Sequence, residues 1–125
     1  QDQLKYIDKL IDRHISNSKY YDKNIDNDNI ELLQKSDRSE SSSWFYTILT
    51  ENKTDLQKYL KNNGISSDTA LFRNDRYKCM EKFRNNNLVG LDYFENRMLN
   101  LPVGWWVSNA ERNHIVEVIN RYLLQ

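Results

Sequence analysis

Residues 43–50 read Ser-Trp-Phe-Tyr-Thr-Ile-Leu-Thr, a dense run of aromatic and β-branched side chains. Such side chains favour a pleated, half-buried surface, so this stretch predicts a β-strand. Strand alternation divides its large side chains between two faces: Trp44, Tyr46 and Ile48 against Phe45, Thr47 and Leu49. Because both faces are largely apolar, we expect a central strand that other elements cover on each side.

Apolar residues at helical spacing precede this strand. They form one stripe that consists of Leu4, Ile7, Ile11 and Ile15. The spacing predicts an amphipathic helix from Leu4 to about Ser18, with Tyr20 and Tyr21 as candidates to extend it. Between this helix and the central strand, the pattern predicts a loop at residues 22–29, a short strand at residues 30–33 and a serine-rich loop at residues 34–42.

Capping signals place two helices after the strand. Residues 54–57 (Thr-Asp-Leu-Gln) and 108–111 (Ser-Asn-Ala-Glu) both have the pattern of a capping box. The first helix would end at Gly64 and bury Leu56, Tyr59 and Leu60. The second would run to about Leu123 and turn four side chains inward: Ile115, Val118, Ile119 and Tyr122.

The segments between these helices are less regular. They predict a polar strand at residues 65–72 and, at residues 73–87, a loop with a helical turn around Met80 and Phe83. A helix at residues 91–99 and a short extended piece at residues 99–103 follow. The last is extended because Pro102 restricts the residue before it. The sum predicts one two-layer α+β domain over residues 1–125. Its sheet would be small and mainly antiparallel, with helices packed chiefly on one side.

Composition excludes some classes of function. Lys and Arg total 18, as do Asp and Glu, so the net charge is zero. That argues against a nucleic-acid binder that neutralises phosphates, although a local basic patch stays open. No apolar run approaches the roughly 20 residues that span a bilayer, and no apolar signal-peptide region opens the chain. The single cysteine, Cys79, forms no internal disulfide and suits a reducing compartment, so we expect a cytoplasmic protein. Because the sequence opens with Gln1 and not with an initiating Met, we also expect a trimmed or excised piece.

Motifs for independent catalysis are missing from the sequence. Three glycines cannot build a phosphate-binding loop, and no paired Cys or His spacing predicts a metal site. His14 and His114 stand apart on predicted helices, where a partly exposed side chain is commoner than a ligand or base. Nothing near Cys79 supports a nucleophile paired with either histidine. We therefore predict no catalytic residue here.

Two segments stand out as candidates for a functional role. Residues 72–77 (Phe-Arg-Asn-Asp-Arg-Tyr) gather hydrogen-bonding side chains where a binding loop often lies. Arginine suits a carboxylate or phosphate there, although a solvated loop with internal salt bridges is the alternative. Residues 101–107 (Leu-Pro-Val-Gly-Trp-Trp-Val) place two tryptophans before a helix. Those rings are expected to fill a core, meet a partner or, alternatively, stack on a ligand.

Taken in order, these segments resemble the C-terminal small domain of the DegT-type nucleotide-sugar aminotransferases, which have the fold of the aspartate aminotransferase superfamily. The resemblance begins in Gln-Leu-Lys-Tyr-Ile-Asp at residues 3–8 and continues through the strand at 43–49 and the Asn-Gly-Ile turn at 63–65. It ends with Arg-Asn-Asp at 73–75, Leu-Pro-Val-Gly-Trp-Trp at 101–106 and the closing helix.

The resemblance implies a reaction and also its absence from this chain. The family moves an amine from an amino acid, commonly glutamate, to a keto group on a nucleotide-linked sugar. Its pyridoxal phosphate is held by a lysine of a large domain upstream of this chain. Lys5, Lys58 and Lys61 lie on predicted solvated faces, and none matches that lysine, so we expect no cofactor in this chain.

By resemblance, four residues border the mouth of the active site: Arg73, Asn74, Asp75 and Tyr77. Arg73 is the expected anion contact. Leu71 stands where many members carry a histidine, which puts conventional substrate handling in doubt. Trp105 and Trp106 would meet the large domain or a second copy of the chain.

Three hypotheses follow. The chain is the small domain of a sugar aminotransferase, inactive by itself. Alternatively, it is a stand-alone module derived from that domain, which binds a nucleotide-sugar or a protein. The third option is an unrelated α+β domain. Neither nucleic acid nor membrane is an expected partner.

Overall fold

The computed structural model describes residues 3–36, 38–85 and 87–123. Its four α-helices are α1 (Ile7–Asn24), α2 (Lys53–Asn62), α3 (Val89–Arg97) and α4 (Asn109–Asn120). Its three strands are β1 (Glu31–Leu32), β2 (Tyr46–Leu49) and β3 (Met98–Leu101). Short 3₁₀ helices occupy Gln3–Tyr6, Asn74–Arg76 and Lys78–Phe83.

The sheet is antiparallel and has the order β1-β2-β3. Its central strand, β2, comes from the aromatic run in which the sequence predicts it. All four β3 residues and three of the four β2 residues are buried, which confirms that the middle of the sheet is covered on both faces. Trp44 and Phe45, predicted as part of this strand, lie before it and are exposed.

The core joins the sheet to α1, α2 and α4. Its largest fully buried apolar side chains come from all of these elements: Tyr21, Ile48, Leu56, Leu60, Leu99, Ile119 and Tyr122. The three-stranded antiparallel sheet with its helices confirms the predicted α+β class. Among the described residues, no helix is long and apolar enough to cross a membrane.

The first helix is longer than predicted, and its predicted apolar stripe is not its buried face. α1 continues to Asn24, and its buried residues are Asn17, Ser18 and Tyr21. Leu4 and Ile7 are exposed. The rest of the described chain packs mainly against the C-terminal half of α1, so the first apolar residues of the stripe stay exposed.

The two predicted capping boxes have different outcomes. At α4, the Ser108 hydroxyl accepts the Glu111 N–H at 3.2 Å, and a Glu111 carboxylate oxygen accepts the Ser108 N–H at 2.8 Å. At α2 the prediction is wrong, because the helix begins at Lys53 after Asn52 and has no side-chain cap. The Gln57 side chain donates to the Ser67 carbonyl at 2.9 Å instead.

The end of α2 confirms the role of Gly64. Its φ of +78° lies in the left-handed region, and its N–H donates to the Lys61 carbonyl at 3.0 Å. The Ile65 N–H donates to the Leu60 carbonyl at 2.9 Å. These two bonds make a Schellman motif.

The strand predicted at residues 65–72 is wrong. Only an isolated bridge between Asp68 and Asn100 joins this segment to the sheet. Ile65 at its start is buried in the core, but Leu71 and Phe72 at its end are exposed, so no apolar face runs along the whole segment.

Candidate functional site

The segment predicted to bind an anion is held against α3 by ion pairs. Arg73 donates from Nε and Nη2 to the two carboxylate oxygens of Asp75, at 2.9 and 2.6 Å. Its Nη1 donates to Asp92 and lies 3.7 Å from an oxygen of Glu95. Only 9% of the Arg73 side chain is exposed. These are the internal salt bridges that the alternative interpretation of this loop predicts.

These contacts shift the titration of both partners. Hydrogen bonds and charge from Arg73 hold the pKa of Asp75 below its usual value. The carboxylates of Asp75 and Asp92 raise the pKa of Arg73. Both groups therefore stay ionised near neutral pH, and the pair persists there.

Two further arginines complete this region. We call residues 72–84 the arginine loop. Arg76 is mostly exposed and donates from Nη2 to Glu95 at 2.6 Å. Arg84 donates from Nε to the main-chain carbonyl of Asp75 at 3.1 Å. Both line a hollow of about 290 Å³, together with Arg73, Asp75, Asn85 and Asp92.

The rest of the arginine loop lies on the surface. Its two 3₁₀ helices contain no buried residue. Asn74 and Tyr77, two of the predicted substrate contacts, are exposed, while Arg73 and Asp75 bind each other. A groove of about 380 Å³ runs beside them and is lined by Leu71, Phe72, Leu91, Phe94 and Met98 among others.

The adjacent tryptophans do not enter the core of the described chain. Trp105 is 54% exposed and Trp106 61%, and their rings meet edge to face with centroids 5.9 Å apart. The Trp106 ring lies on Gly104: a Cβ at that glycine would come within 2.2–2.4 Å of it. Of the predicted roles, the structure leaves a partner interface and ligand stacking.

A second pair of neighbouring aromatic side chains, Trp44 and Phe45, is also exposed. Trp44 and Phe45 stack with centroids 4.7 Å apart. His14 of α1 links the chain just before the first pair to the second pair: its Nδ1 lies 3.2 Å from the carbonyl oxygen of Ser43, and its ring meets Trp106 edge to face. We call the two aromatic pairs the tryptophan face: Trp44, Phe45, Trp105 and Trp106.

The two histidines and the cysteine, residue types that commonly carry catalysis, differ in their contacts. His14 and His114 pair with main-chain carbonyls, His114 through Nε2 with Asn63 at 2.9 Å. Cys79 is an exposed free thiol in the arginine loop. Within residues 3–36, 38–85 and 87–123, no cluster of His, Cys, Asp and Glu could hold a metal ion.

Sequence reasoning missed the acidic half of this site. Asp92 and Glu95, which hold Arg73 and Arg76, come from α3 and were not singled out. Their spacing of three residues places both on one face of a helix, and that spacing was a usable signal. Arg84 was also missed, because its partner is a main-chain carbonyl rather than a charged side chain.

Known proteins share both sequence and fold with the chain. Residues 1–120 match the DegT/DnrJ/EryC1/StrS aminotransferase family. The sugar aminotransferase CalS13 from Micromonospora echinospora is 32% identical, with a TM-score of 0.89, over 94% of this chain and 32% of its own. AtS13 from Actinomadura melliaura is 31% identical, with a TM-score of 0.91, over 96% of this chain and 32% of its own.

A more distant structure resembles the chain in fold alone. PseC from Helicobacter pylori, an aminotransferase involved in the biosynthesis of pseudoaminic acid, is 21% identical with a TM-score of 0.79, over 94% of this chain and 34% of its own. No curated protein sequence matches the chain. The chain spans about a third of the length of these solved structures. From the match over residues 1–120, the chain belongs to the DegT/DnrJ/EryC1/StrS aminotransferase family.

Proposed function

We propose that this chain is the C-terminal small domain of a pyridoxal-phosphate-dependent sugar aminotransferase. The complete enzyme would transfer an amine from an amino acid to a keto nucleotide-sugar. One observation carries the proposal: the chain matches sugar aminotransferases at 31–32% identity while covering only 32% of their length. The chemistry would then require a large domain that these residues do not contain.

The lysines of this chain do not fit a covalently held pyridoxal phosphate. A Schiff base, which lets this cofactor carry the amine, needs a lysine oriented in a dry pocket. Nine of the ten lysines are exposed, and Lys53 is half-buried. Burial lowers the pKa of Lys53, but its ammonium donates to the Glu95 carbonyl beside an open hollow that Glu51 and Asp55 also line. The lysine environments thus support a domain that is inactive alone.

The tryptophan face is the proposed contact with the large domain. Its two pairs of large aromatic side chains expose much of their surface to water, and large exposed apolar groups commonly mark a site of protein–protein contact. Exposed apolar residues near the start of the described chain would add to this interface: Leu4 of the first 3₁₀ helix, and Ile7 and Leu10 of α1. A second copy of the chain is the alternative occupant.

The arginine loop is the proposed border of the substrate site. We place there the four residues named from the resemblance: Arg73, Asn74, Asp75 and Tyr77. Leu71, at the position where many members carry a histidine, is exposed beside the apolar groove. An apolar side chain neither donates a hydrogen bond nor transfers a proton, so substrate contacts would fall to the loop.

The coding sequence immediately upstream tests this proposal. We expect an in-frame large domain with a lysine that forms the cofactor imine. The joined protein should transfer an amine to a keto nucleotide-sugar, and removal of residues 1–125 should abolish that activity. If no large domain is encoded there, the proposal is wrong and a stand-alone module replaces it.

A cofactor titration provides a second test. Pyridoxal phosphate added to the 125-residue chain should give no new imine absorbance, and borohydride reduction should attach it to no single lysine. Reduction onto one specific lysine, with turnover in the absence of any other chain, would refute the proposal that this domain is inactive alone.

A further inference from the structure

The three arginines of the arginine loop are in different electrostatic states. Arg73 uses Nε, Nη1 and Nη2 on carboxylates of this chain. An anion from solution would have to separate it from Asp75, with which it makes a two-pronged, charge-assisted pair. Its buried position also leaves little of the guanidinium open to solvent.

Arg73 therefore connects two elements. Asp75 lies in the loop, whereas Asp92 and Glu95 lie on α3. A single guanidinium that binds both sets holds the loop against the helix. This geometry is that of a positioning residue.

Arg76 and Arg84 retain donors that face the hollow. Arg76 donates only Nη2 to a carboxylate, and its side chain is 65% exposed. Arg84 donates Nε to a carbonyl, and no carboxylate in the described part of the chain pairs with it. Its charge is therefore not neutralised by a direct ion pair at the edge of the hollow.

The hollow is large enough for a multiply charged anion. Its volume of about 290 Å³ is roughly ten times the share of a water molecule in the liquid, about 30 Å³. Asp75 and Asp92 also line it, and both of these carboxylates are engaged by Arg73. An anion with several oxygens and more than one charge can engage two guanidinium groups at once.

We propose that Arg76 and Arg84 bind the diphosphate group of the substrate, and that Arg73 positions the loop that carries them. This inference rests on the proposed function, since a nucleotide-sugar supplies the diphosphate. It moves the anion contact from Arg73, where the sequence predicts it, to its two neighbours in the loop.

Titration of the 125-residue chain with inorganic pyrophosphate, at ionic strength held constant with NaCl, tests the inference. Arginine Nε–Hε signals in NMR spectra report each guanidinium separately. We expect the signals of Arg76 and Arg84 to move and that of Arg73 to stay. The double variant R76Q/R84Q should bind at least about tenfold more weakly, while R121Q, which removes an exposed arginine at the end of α4, should bind as the wild type does.

The variant R73K separates positioning from contact. It keeps the charge but loses the planar fork, so amide exchange across the arginine loop should accelerate and pyrophosphate affinity should fall. A shift of the Arg73 Nε–Hε signal on titration, or unchanged binding by R76Q/R84Q, would overturn the assignment.

Glutarate tests the class of anion, because the amino donor also carries carboxylates. Pyrophosphate should bind at least about tenfold more tightly than glutarate, and equal affinities would overturn the diphosphate assignment. Absence of pyrophosphate binding would overturn the inference as well. The proposed function would survive that result, because it is tested by the upstream coding sequence and the activity of the joined protein.

Discussion

The side-chain amide of Asn17 donates a 3.1 Å hydrogen bond to the carbonyl oxygen of Val103, 86 residues later in the chain. The same amide donates to the Gly104 carbonyl at 3.1 Å, and its Oδ1 accepts from Arg112 at 3.3 Å. Asn17 is completely buried. One polar side chain thus joins α1, the turn that carries the two tryptophans, and α4.

Replacement of Asn17 by alanine should therefore destabilise the chain strongly. The change leaves buried carbonyl groups without their donor, and we expect a loss of about 2–3 kcal/mol in the free energy of unfolding. Urea denaturation followed by far-UV circular dichroism measures it. N62A, on an exposed asparagine of α2, is the control and should change stability by less than about 0.5 kcal/mol. A loss of similar size in both variants would contradict this explanation.

Replacement by alanine at two glycines should change the free energy of unfolding in opposite directions. Gly64 has a φ of +78°, which costs an L-residue about 1–2 kcal/mol, so G64A should lower the free energy of unfolding. Gly90 lies near the start of α3 with nothing within 4 Å of an added Cβ. G90A should raise stability by up to about 1 kcal/mol, because alanine favours helix more than glycine does. Urea midpoints for the pair measure both signs, and stabilisation by G64A would contradict the Schellman assignment.

The capping box of α4 predicts a pH dependence. The hydrogen bonds from Ser108 hold the pKa of Glu111 below its usual value of 4.5. Because the folded-state pKa is the lower one, the carboxylate stabilises the fold above about pH 4.5 and loses that effect as pH falls through the folded-state pKa. E111Q should therefore be less stable than the wild type at pH 7, and the difference should shrink below about pH 4.5. Urea unfolding between pH 7 and pH 3 measures it, and a constant difference would argue against this cap.

Gly104 should control the placement of a tryptophan ring. In G104A the new Cβ would overlap the Trp106 ring, whose nearest atoms would be 2.2–2.4 Å away, so the ring must move. Because that ring is largely exposed, the free energy of unfolding should change by less than about 1 kcal/mol. Near-UV circular dichroism and tryptophan fluorescence should change clearly, and binding to the proposed large domain should weaken. G90A should leave both spectra unchanged, and unchanged spectra for G104A would disprove the contact.

Local sequence signals predicted elements where a short segment contained all the required groups. The turn at Gly64 and the cap at Ser108 are examples, since their hydrogen-bonding partners lie within a few residues. The same pattern failed at Thr54, because Gln57 found a partner in Ser67 beyond the end of the helix. The strand predicted at residues 65–72 failed for a related reason: pairing depends on a distant strand, and only Asp68 reaches Asn100.

The candidate site divides in the same way. The sequence identified the segment around Arg73 and the tryptophan pair as candidates, because the first gathers hydrogen-bonding side chains and the second places two large rings side by side. It did not reveal that Asp92 and Glu95 would form ion pairs with Arg73, since α3 lies about 20 residues away and is brought there by folding. The roles proposed for these residues in substrate binding remain predictions.

By itself, the sequence determined the α+β class, the central aromatic strand, the C-terminal end of α2, the start of α4 and the aminotransferase family, which the family match confirms. These properties depend on composition, on periodicity and on partners within one or two helical turns. Only the tertiary structure decided which charges face each other and which apolar surfaces lack cover. Arg73 is paired with carboxylates of α3 as well as with Asp75, Asn17 is buried beneath the tryptophan turn, and the first half of α1 stays in contact with water. Each of these depends on the relative positions of distant segments, which no local pattern specifies.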